Sequence, residues 1–295
     1  MQLTPWQFKT SAGFYLKGMR SEPSGKPLLH LLHGNGYCAL MYQPMLQPLL
    51  SQVDLFLSDV QGHGHSEHGD AFVGWNASAE FAEQALQAHL PLYAGVPVYA
   101  IGHSFGGVLT ALLHSQQNSP FQAALLLDPV LFTPMMLRAM QLLDWLGLYR
   151  YNPLAKRAIK RRNHFADTTQ AWQYFHHRGM FKGWHDDALH AYIQHALQPV
   201  TDGLVLRCQP SREADVFASF PRNLWSLMPH MQNPLKLVYG QQTYPFVRTA
   251  AKQLQRLCPQ VEVSAVAGGH CFMQEHPAQT AELIVQWLQQ QQQSN

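Results

Sequence analysis

The sequence is short of charge and short of cysteine. Only 13% of its 295 residues are Asp, Glu, Lys or Arg, and 20 basic against 18 acidic residues leave a formal net charge of +2. That balance offers no bulk attraction for a polyanion, so no nucleic-acid partner is expected. The four cysteines, Cys38, Cys208, Cys258 and Cys271, include no Cys-x-x-Cys pair. Neither a zinc ribbon nor a dense disulfide framework is supported, and free thiols in a reducing cytoplasm are expected. The first residues, MQLTPWQFKT, lack a basic stretch followed by an apolar run. No secretory signal is expected from them. No membrane partner is expected either. The 44 residues between Glu83 and Asp128 carry no Asp, Glu, Lys or Arg. A span needs about 20 consecutive apolar residues, and Pro91, Pro97, Gly102, Gly106, Gly107 and a polar QQNSP stretch interrupt this one. It reads as the buried centre of a globular protein.

What is abundant is apolar material, 46% of the chain. That suffices for a large core and rules out a disordered or collagenous chain. At roughly 150 residues per domain, the length suits one large domain or one domain with an insertion. Short apolar runs at Trp6–Thr10, Phe14–Arg20, Pro27–Leu32, Val53–Ser58, Val96–Ile101 and Phe121–Leu127 read as strands. Helical spacing appears at Asn76–Leu92 and after Gly107. Continuous apolar strands alternating with helices predict a mostly parallel sheet covered on both faces, an α/β fold. From 130 to 232 the alternation stops. Helical patterns follow one another there (Pro134–Leu148, Leu154–Phe165, Thr168–His177, Asp187–Leu197, Arg212–Phe220). Strands return at Pro234–Tyr239 and Val261–Val266. The expectation is a core of residues 1–129 and 233–295 with an all-helical insertion at 130–232. The glutamine run Gln289–Gln293 extends or frays the last helix.

The strongest chemical signal is Gly102-His103-Ser104-Phe105-Gly106, a G-x-S-x-G between a predicted strand and a predicted helix, with Gly107 behind it. Small neighbours allow the tight reversal that exposes the serine hydroxyl at a helix N-terminus. A serine needs a base, and the base an orienting carboxylate. There are 17 histidines, so position must choose. His270 follows the last apolar strand through Gly268-Gly269, at a strand's carboxyl end. His276, before Pro277, reads as structural, and His33 and His103 read as hydrogen-bonded turn residues.

Taken together these segments resemble the α/β-hydrolase family. His33-Gly34-Asn35-Gly36 follows the third strand, and Asp59-x-x-Gly62-x-Gly64-x-Ser66 the fourth. The serine elbow follows the fifth strand, and Gly-Gly-His lies near the end. The resemblance implies Ser104 as nucleophile, His270 as base, and the backbone N–H groups of Asn35 and Phe105 as an oxyanion hole. It also implies that the insertion forms a cap over the serine. In the family the acid commonly lies a few residues past a glycine after the insertion. Here that stretch reads Tyr239-Gly240-Gln241-Gln242-Thr243-Tyr244, and Thr243 stands at the expected place. Asp128, at the end of the strand after the nucleophile's helix, is the expected acid, as in some family members including several haloalkane dehalogenases. Its alternative role is a turn cap before Pro129. Glu213 and Glu275 are weaker candidates for the acid.

The implied activity is hydrolysis of small to medium, largely apolar carboxylic esters through an acyl-serine, with no metal or organic cofactor. Thioester hydrolysis, acyl transfer and carbon–carbon bond hydrolysis use the same site. A non-catalytic receptor on a hydrolase scaffold is the alternative of another class. His63-Gly64-His65-Ser66-Glu67-His68 approximates a metal-binding pattern, but the loop already fits the turn after the fourth strand. Residues 150–162 hold six of the twenty basic residues and read as a solvated outer face over an apolar stripe of Leu154, Ala155, Ala158 and Ile159. A grip on an anionic substrate tail is the functional alternative. The insertion's aromatics, Trp145, Tyr149, Trp172, Tyr174, Phe175, Phe181 and Trp184, are expected to be mostly core.

Overall fold

The computed structural model describes residues 1–149 and 152–293. Arg150 and Tyr151, at the start of the basic run, lie outside the described residues. The chain opens with strands β1 (Thr4–Lys9), β2 (Tyr15–Arg20), β3 (Leu28–Leu32) and β4 (Asp54–Asp59). Helix α1 (Trp75–His89), β5 (Val98–His103), α2 (Phe105–His114) and β6 (Ala123–Leu127) follow. After β6 comes the insertion. It holds α3 (Pro134–Trp145), α4 (Pro153–Ile159), β7 (His164–Phe165), α5 (Thr168–Phe175), α6 (Asp186–Ala196), β8 (Leu197–Val200), β9 (Gly203–Leu206) and α7 (Pro210–Phe217). Strand β10 (Leu235–Gly240), α8 (Pro245–Leu257), β11 (Glu262–Val266) and α9 (Pro277–Gln293) complete the chain. The glutamine run continues α9.

The main sheet has eight strands in the order β1-β2-β4-β3-β5-β6-β10-β11. β1 pairs antiparallel with β2 and β2 with β4, and every pairing from β4 to β11 is parallel. The alternation of strand side chains divides the interior into two layers. Leu29, Leu31, Tyr99, Ile101, Leu125 and Leu127 pack with Trp287 of α9. Leu28, Leu32, Phe56, Ala100 and Leu126 face α1 and α2. The insertion has no separate main core, because Phe165, Phe175, Phe181, Trp184 and Tyr192 join the first layer.

Two expectations for the insertion are corrected. It is not all-helical: β7, β9 and β8 form a three-stranded antiparallel sheet. The proposed helix Leu154–Phe165 stops at Ile159, and His164–Phe165 is strand. These strands run for only two to four residues, too short for a period-2 pattern to emerge. The local signal is Thr201-Asp202-Gly203, where Val200 pairs with Gly203 across a two-residue turn. The second correction concerns the α4 stripe, of which only Ala155 and Ala158 are buried, while Leu154 and Ile159 face solvent. The insertion's aromatics are mostly buried, among them Tyr149, Phe175, Phe181 and Trp184, with Trp145 the exception at 80% exposed.

Candidate active site

The parallel strands bring five chain segments to one edge. Asn35 follows β3, Ser104 follows β5, Asp128 follows β6, Thr243 follows β10 and His270 follows β11. Sites form at the carboxyl ends of such strands. Ser104 sits at φ 54° and ψ −114°, in the left-handed half of the map that a non-glycine residue enters at a cost. The elbow is held by bonds from Ser104 N–H to Leu127 O (3.1 Å) and from Gly106 N–H to His33 O (3.1 Å). A Cβ on Gly106 would stand 2.2 Å from Leu32 O, so no other residue fits there without moving β3. The serine is 8% exposed.

Ser104 Oγ lies 2.9 Å from His270 Nε2, and His270 Nδ1 lies 2.7 Å from Asp128 Oδ1. With Nδ1–H donating to the carboxylate, Nε2 is left to accept the serine proton. Asp128 is fully buried, and its backbone φ of 45° turns it away from β6. It accepts two further bonds, from Thr243 Oγ1–H to Oδ1 (2.5 Å) and from Gly240 N–H to Oδ2 (2.7 Å). The strand order explains why Asp128 and Thr243 meet. β6 lies between β5 and β10, so the ends of β6 and β10 both look toward a histidine arriving from β11. The residue standing where the sequence lacks its expected acid thus donates a hydrogen bond to the carboxylate that His270 uses.

The other acidic candidates are occupied elsewhere. Glu275 accepts from Gly269 N–H with both oxygens at 3.1 Å, which braces the turn carrying His270. Glu213 is buried and pairs with Arg161 Nη1 at 2.7 Å, while Arg161 Nη2 donates to Tyr192 Oη at 2.6 Å. Arg161 is therefore not part of a solvated face. The backbone carbonyl of Glu213 accepts from Asn35 Nδ2 (3.1 Å), so the insertion grips the loop after β3.

That loop has its donors partitioned. Gly34 N–H goes to Tyr42 Oη (3.2 Å) and Gly36 N–H to His63 Nε2 (3.0 Å). Asn35 N–H, between them, has no acceptor among the described residues, and neither has Phe105 N–H at the start of α2. Two histidines read as turn residues prove to be buried connectors. His33 donates from Nδ1 to Gly34 O (2.8 Å) and accepts Val60 N–H at Nε2 (3.1 Å). His103 donates from Nε2 to His270 O (3.1 Å) and accepts the Tyr42 hydroxyl at Nδ1 (2.6 Å). Burial and the neighbouring His270 hold His103 well below the ordinary histidine pKa, so it stays neutral and keeps that tautomer. A continuous path of hydrogen bonds thus joins the loop after β3 to the main chain of His270. Nothing in the sequence marks Tyr42 as part of it.

His63 uses its second nitrogen on Gln61 O (3.0 Å), and His65 stands 3.5 Å from the buried Asp59. Among the described residues no group of three or more His, Cys, Asp or Glu is placed to hold a metal ion. A groove of about 710 Å³ lined by Gln43, His185, His190, Glu275 and His276 runs behind the His270 turn, with neither Ser104 nor His270 in its wall.

A family model described as "Alpha/beta hydrolase family" matches residues 31–283. The chain belongs to the alpha/beta hydrolase family. Among curated proteins, this family member is similar to the monoglyceride lipases of Rattus norvegicus (32% identical over 127 residues) and Homo sapiens (30% over 124 residues). The aligned stretch spans 40% of this chain and 41% and 40% of those proteins, so the match covers well under half of each. Among solved structures, E-2-(acetamidomethylene)succinate hydrolase superposes with a TM-score of 0.79 at 20% identity, covering 98% of this chain and 100% of that one. A peroxisomal alpha-beta-hydrolase from Saccharomyces cerevisiae gives 0.77 at 15% identity, covering 100% and 90%. At these identities the superpositions establish the family's fold. Among the described residues no helix is long and apolar enough to cross a membrane.

Proposed function

We propose that this chain is a serine hydrolase of carboxylic esters, acting through an acyl-Ser104 intermediate. The observation that carries the reading is the unbroken line Ser104 Oγ–His270 Nε2 (2.9 Å) and His270 Nδ1–Asp128 Oδ1 (2.7 Å), at an elbow opening a helix. The partial likeness to monoglyceride lipases supports ester cleavage as the reaction class.

In this mechanism Ser104 Oγ attacks the ester carbonyl while His270 Nε2 takes its proton. Asp128 holds the imidazole in the required tautomer and stabilises its charged form. The carbonyl oxygen becomes an oxyanion, and the uncommitted N–H groups of Asn35 and Phe105 receive it. Collapse breaks the ester C–O bond, and the leaving alcohol carries away the proton from His270. Water then enters, His270 takes one of its protons, and hydroxide adds to the acyl carbon; collapse breaks the bond to Ser104 Oγ, which takes the proton back from His270 as the acid leaves. One ester and one water give one acid and one alcohol.

An apolar substrate is supported by Tyr244, half exposed, with its ring 5.0 Å from that of His270 and stacked on Phe246. Tyr37 stacks on His103 and meets Trp184 and Tyr192 edge-on. The insertion thus packs against the loop after β3, a position from which a cap would limit water at the serine. The test is an acyl-chain series of p-nitrophenyl esters on wild type and Ser104→Ala. Turnover should appear with wild type and be lost in a folded Ser104→Ala protein. Turnover that survives in the variant sinks the mechanism.

A further inference from the structure

The turn after β10 touches both the loop of the base and the side chain of the acid. Thr243 N–H bonds to Gly240 O at 3.0 Å, which closes residues 240–243 into a tight turn. Gln241 N–H bonds to Val266 O (2.8 Å) and Gln242 N–H to Gly268 O (2.9 Å). A Cβ on Gly240 would stand 2.1 Å from Gly269 O. The main chain of the turn is therefore fixed against the segment that carries His270. The hydroxyl of the buried Thr243 bonds elsewhere, to Asp128. Base and acid are thus joined by a second route, separate from the bond between them.

The acceptor positions of Asp128 show what the hydroxyl does. A carboxylate only accepts, so Thr243 Oγ1 must donate. Oδ1 receives two hydrogens, from His270 Nδ1 (2.7 Å) and from Thr243 (2.5 Å), while Oδ2 receives one, from Gly240 N–H (2.7 Å). Both oxygens are pinned from one turn, so the carboxylate plane is held toward His270. The second donor on Oδ1 also draws negative charge from the oxygen that faces the imidazole. Without it, Asp128 would favour the imidazolium more strongly, and the ring would release its proton to a leaving alcohol less readily. We propose that Thr243 is a positioning residue: its hydroxyl keeps Asp128 in register with His270 and moderates the basicity that Asp128 confers on the ring. The catalytic consequence rests on the serine-hydrolase reading, whereas the effect on the His270 ring does not need turnover.

The test therefore reads the ring as well as the rate. Thr243→Val keeps the shape and removes the hydroxyl, and Thr243→Ser keeps the hydroxyl. Thr243→Ala is read beside them, so that a valine protein that does not fold leaves the test intact. The His270 ring is titrated by NMR in histidine-labelled protein, its signals identified by their absence in His270→Ala. In the valine and alanine proteins the midpoint should move to higher pH by about half a unit to one unit. With a p-nitrophenyl ester, kcat should fall about tenfold with KM within about twofold, and the acid limb of kcat/KM should move with the midpoint. Thr243→Ser should recover most of both effects. The other titratable groups nearby stay the same throughout: His103, held neutral, Tyr244 and Cys271, both raised by burial, Glu275 on Gly269 N–H, and Arg157, which acts on Tyr244. A merely structural loss would lower kcat and leave the midpoint in place. An unmoved midpoint in a folded valine or alanine protein overturns the proposal, and so does a serine protein that behaves like valine. A shifted midpoint with no ester turnover by wild type counts against the esterase reading and not against the hold of Thr243 on the pair.

Discussion

Asp128→Asn removes the acid at its most constrained point. Asp128 accepts bonds from His270, Thr243 and Gly240 N–H at 2.7, 2.5 and 2.7 Å, and it is fully buried. An asparagine offers one acceptor oxygen and one NH₂. Whichever way the amide turns, its NH₂ faces at least one N–H or O–H that also donates. If it faces His270, the ring must present Nδ1 as acceptor and Nε2–H toward Ser104, the wrong tautomer for a base. That error costs about 10⁴ in kcat in the serine-protease case. If it faces Gly240, His270 keeps its orientation and loses only the charge. The expected fall is therefore about 10²–10⁴ in kcat, or roughly 3–5 kcal/mol of transition-state stabilisation, with KM little changed. The strand order adds a second arm. Thr243 already reaches the oxygen that His270 uses, so Asp128→Asn combined with Thr243→Asp should recover at least about tenfold of the loss. Stopped assays with a p-nitrophenyl ester and circular dichroism on both variants measure this. A folded Asp128→Asn protein within tenfold of wild type would refute the assignment of the acid.

Other perturbations test the surroundings. Burial lowers the pKa of His30 and His63 to about 3 and moves His33 and His103 the same way. The unfolded chain protonates these groups near 6.5, so it binds more protons than the folded chain below that pH. Stability should be full above pH 6.5 and fall as pH drops toward 3, by up to about 1.4 kcal/mol per pH unit for each histidine. A urea midpoint unchanged between pH 7 and pH 5 would contradict this. Arg161→Met strands the buried Glu213 carboxylate and should cost about 3–5 kcal/mol, while Arg161→Met with Glu213→Leu should cost much less. Chemical denaturation of both proteins tells them apart, and equal losses would mean that the pair is not coupled. Gly106→Ala places a methyl 2.2 Å from a β3 carbonyl. It should destabilise by at least about 3 kcal/mol, and a melting temperature near that of wild type would disprove the close approach.

The parts of the fold that could be read in advance are those where one residue type has one physical use. The runs at Leu28–Leu32, Val98–His103 and Ala123–Leu127 are buried on both faces, so their apolar continuity marks them without help from tertiary context. Gly102, Gly106 and Gly107 announce the elbow because its close contacts exclude side chains. The seat of Asp128 was legible from its place at the end of a strand next to the nucleophile's helix and from the absence of a carboxylate near Thr243. That the threonine hydroxyl supports Asp128 depends on β6 and β10 being neighbours, which the sequence order does not state. Arg161 looked like its exposed neighbours because its partner, Glu213, lies 52 residues away. The exposure of Trp145 was hidden for a different reason. Helix α3 is apolar on most of its surface, and periodicity does not say which side is covered: Leu137 is buried with Met136 and Met140 half-buried, while Met135, Leu142 and Trp145 face solvent.

The central claim is that Ser104 is an activated nucleophile, and covalent labelling tests it most directly. Intact-mass analysis after treatment with a fluorophosphonate should show one adduct on the wild-type chain. Ser104→Ala should show none, and His270→Ala should be strongly slowed. An adduct that persists in Ser104→Ala, or folded wild-type protein that stays unlabelled even by a small phosphonofluoridate, would contradict the account.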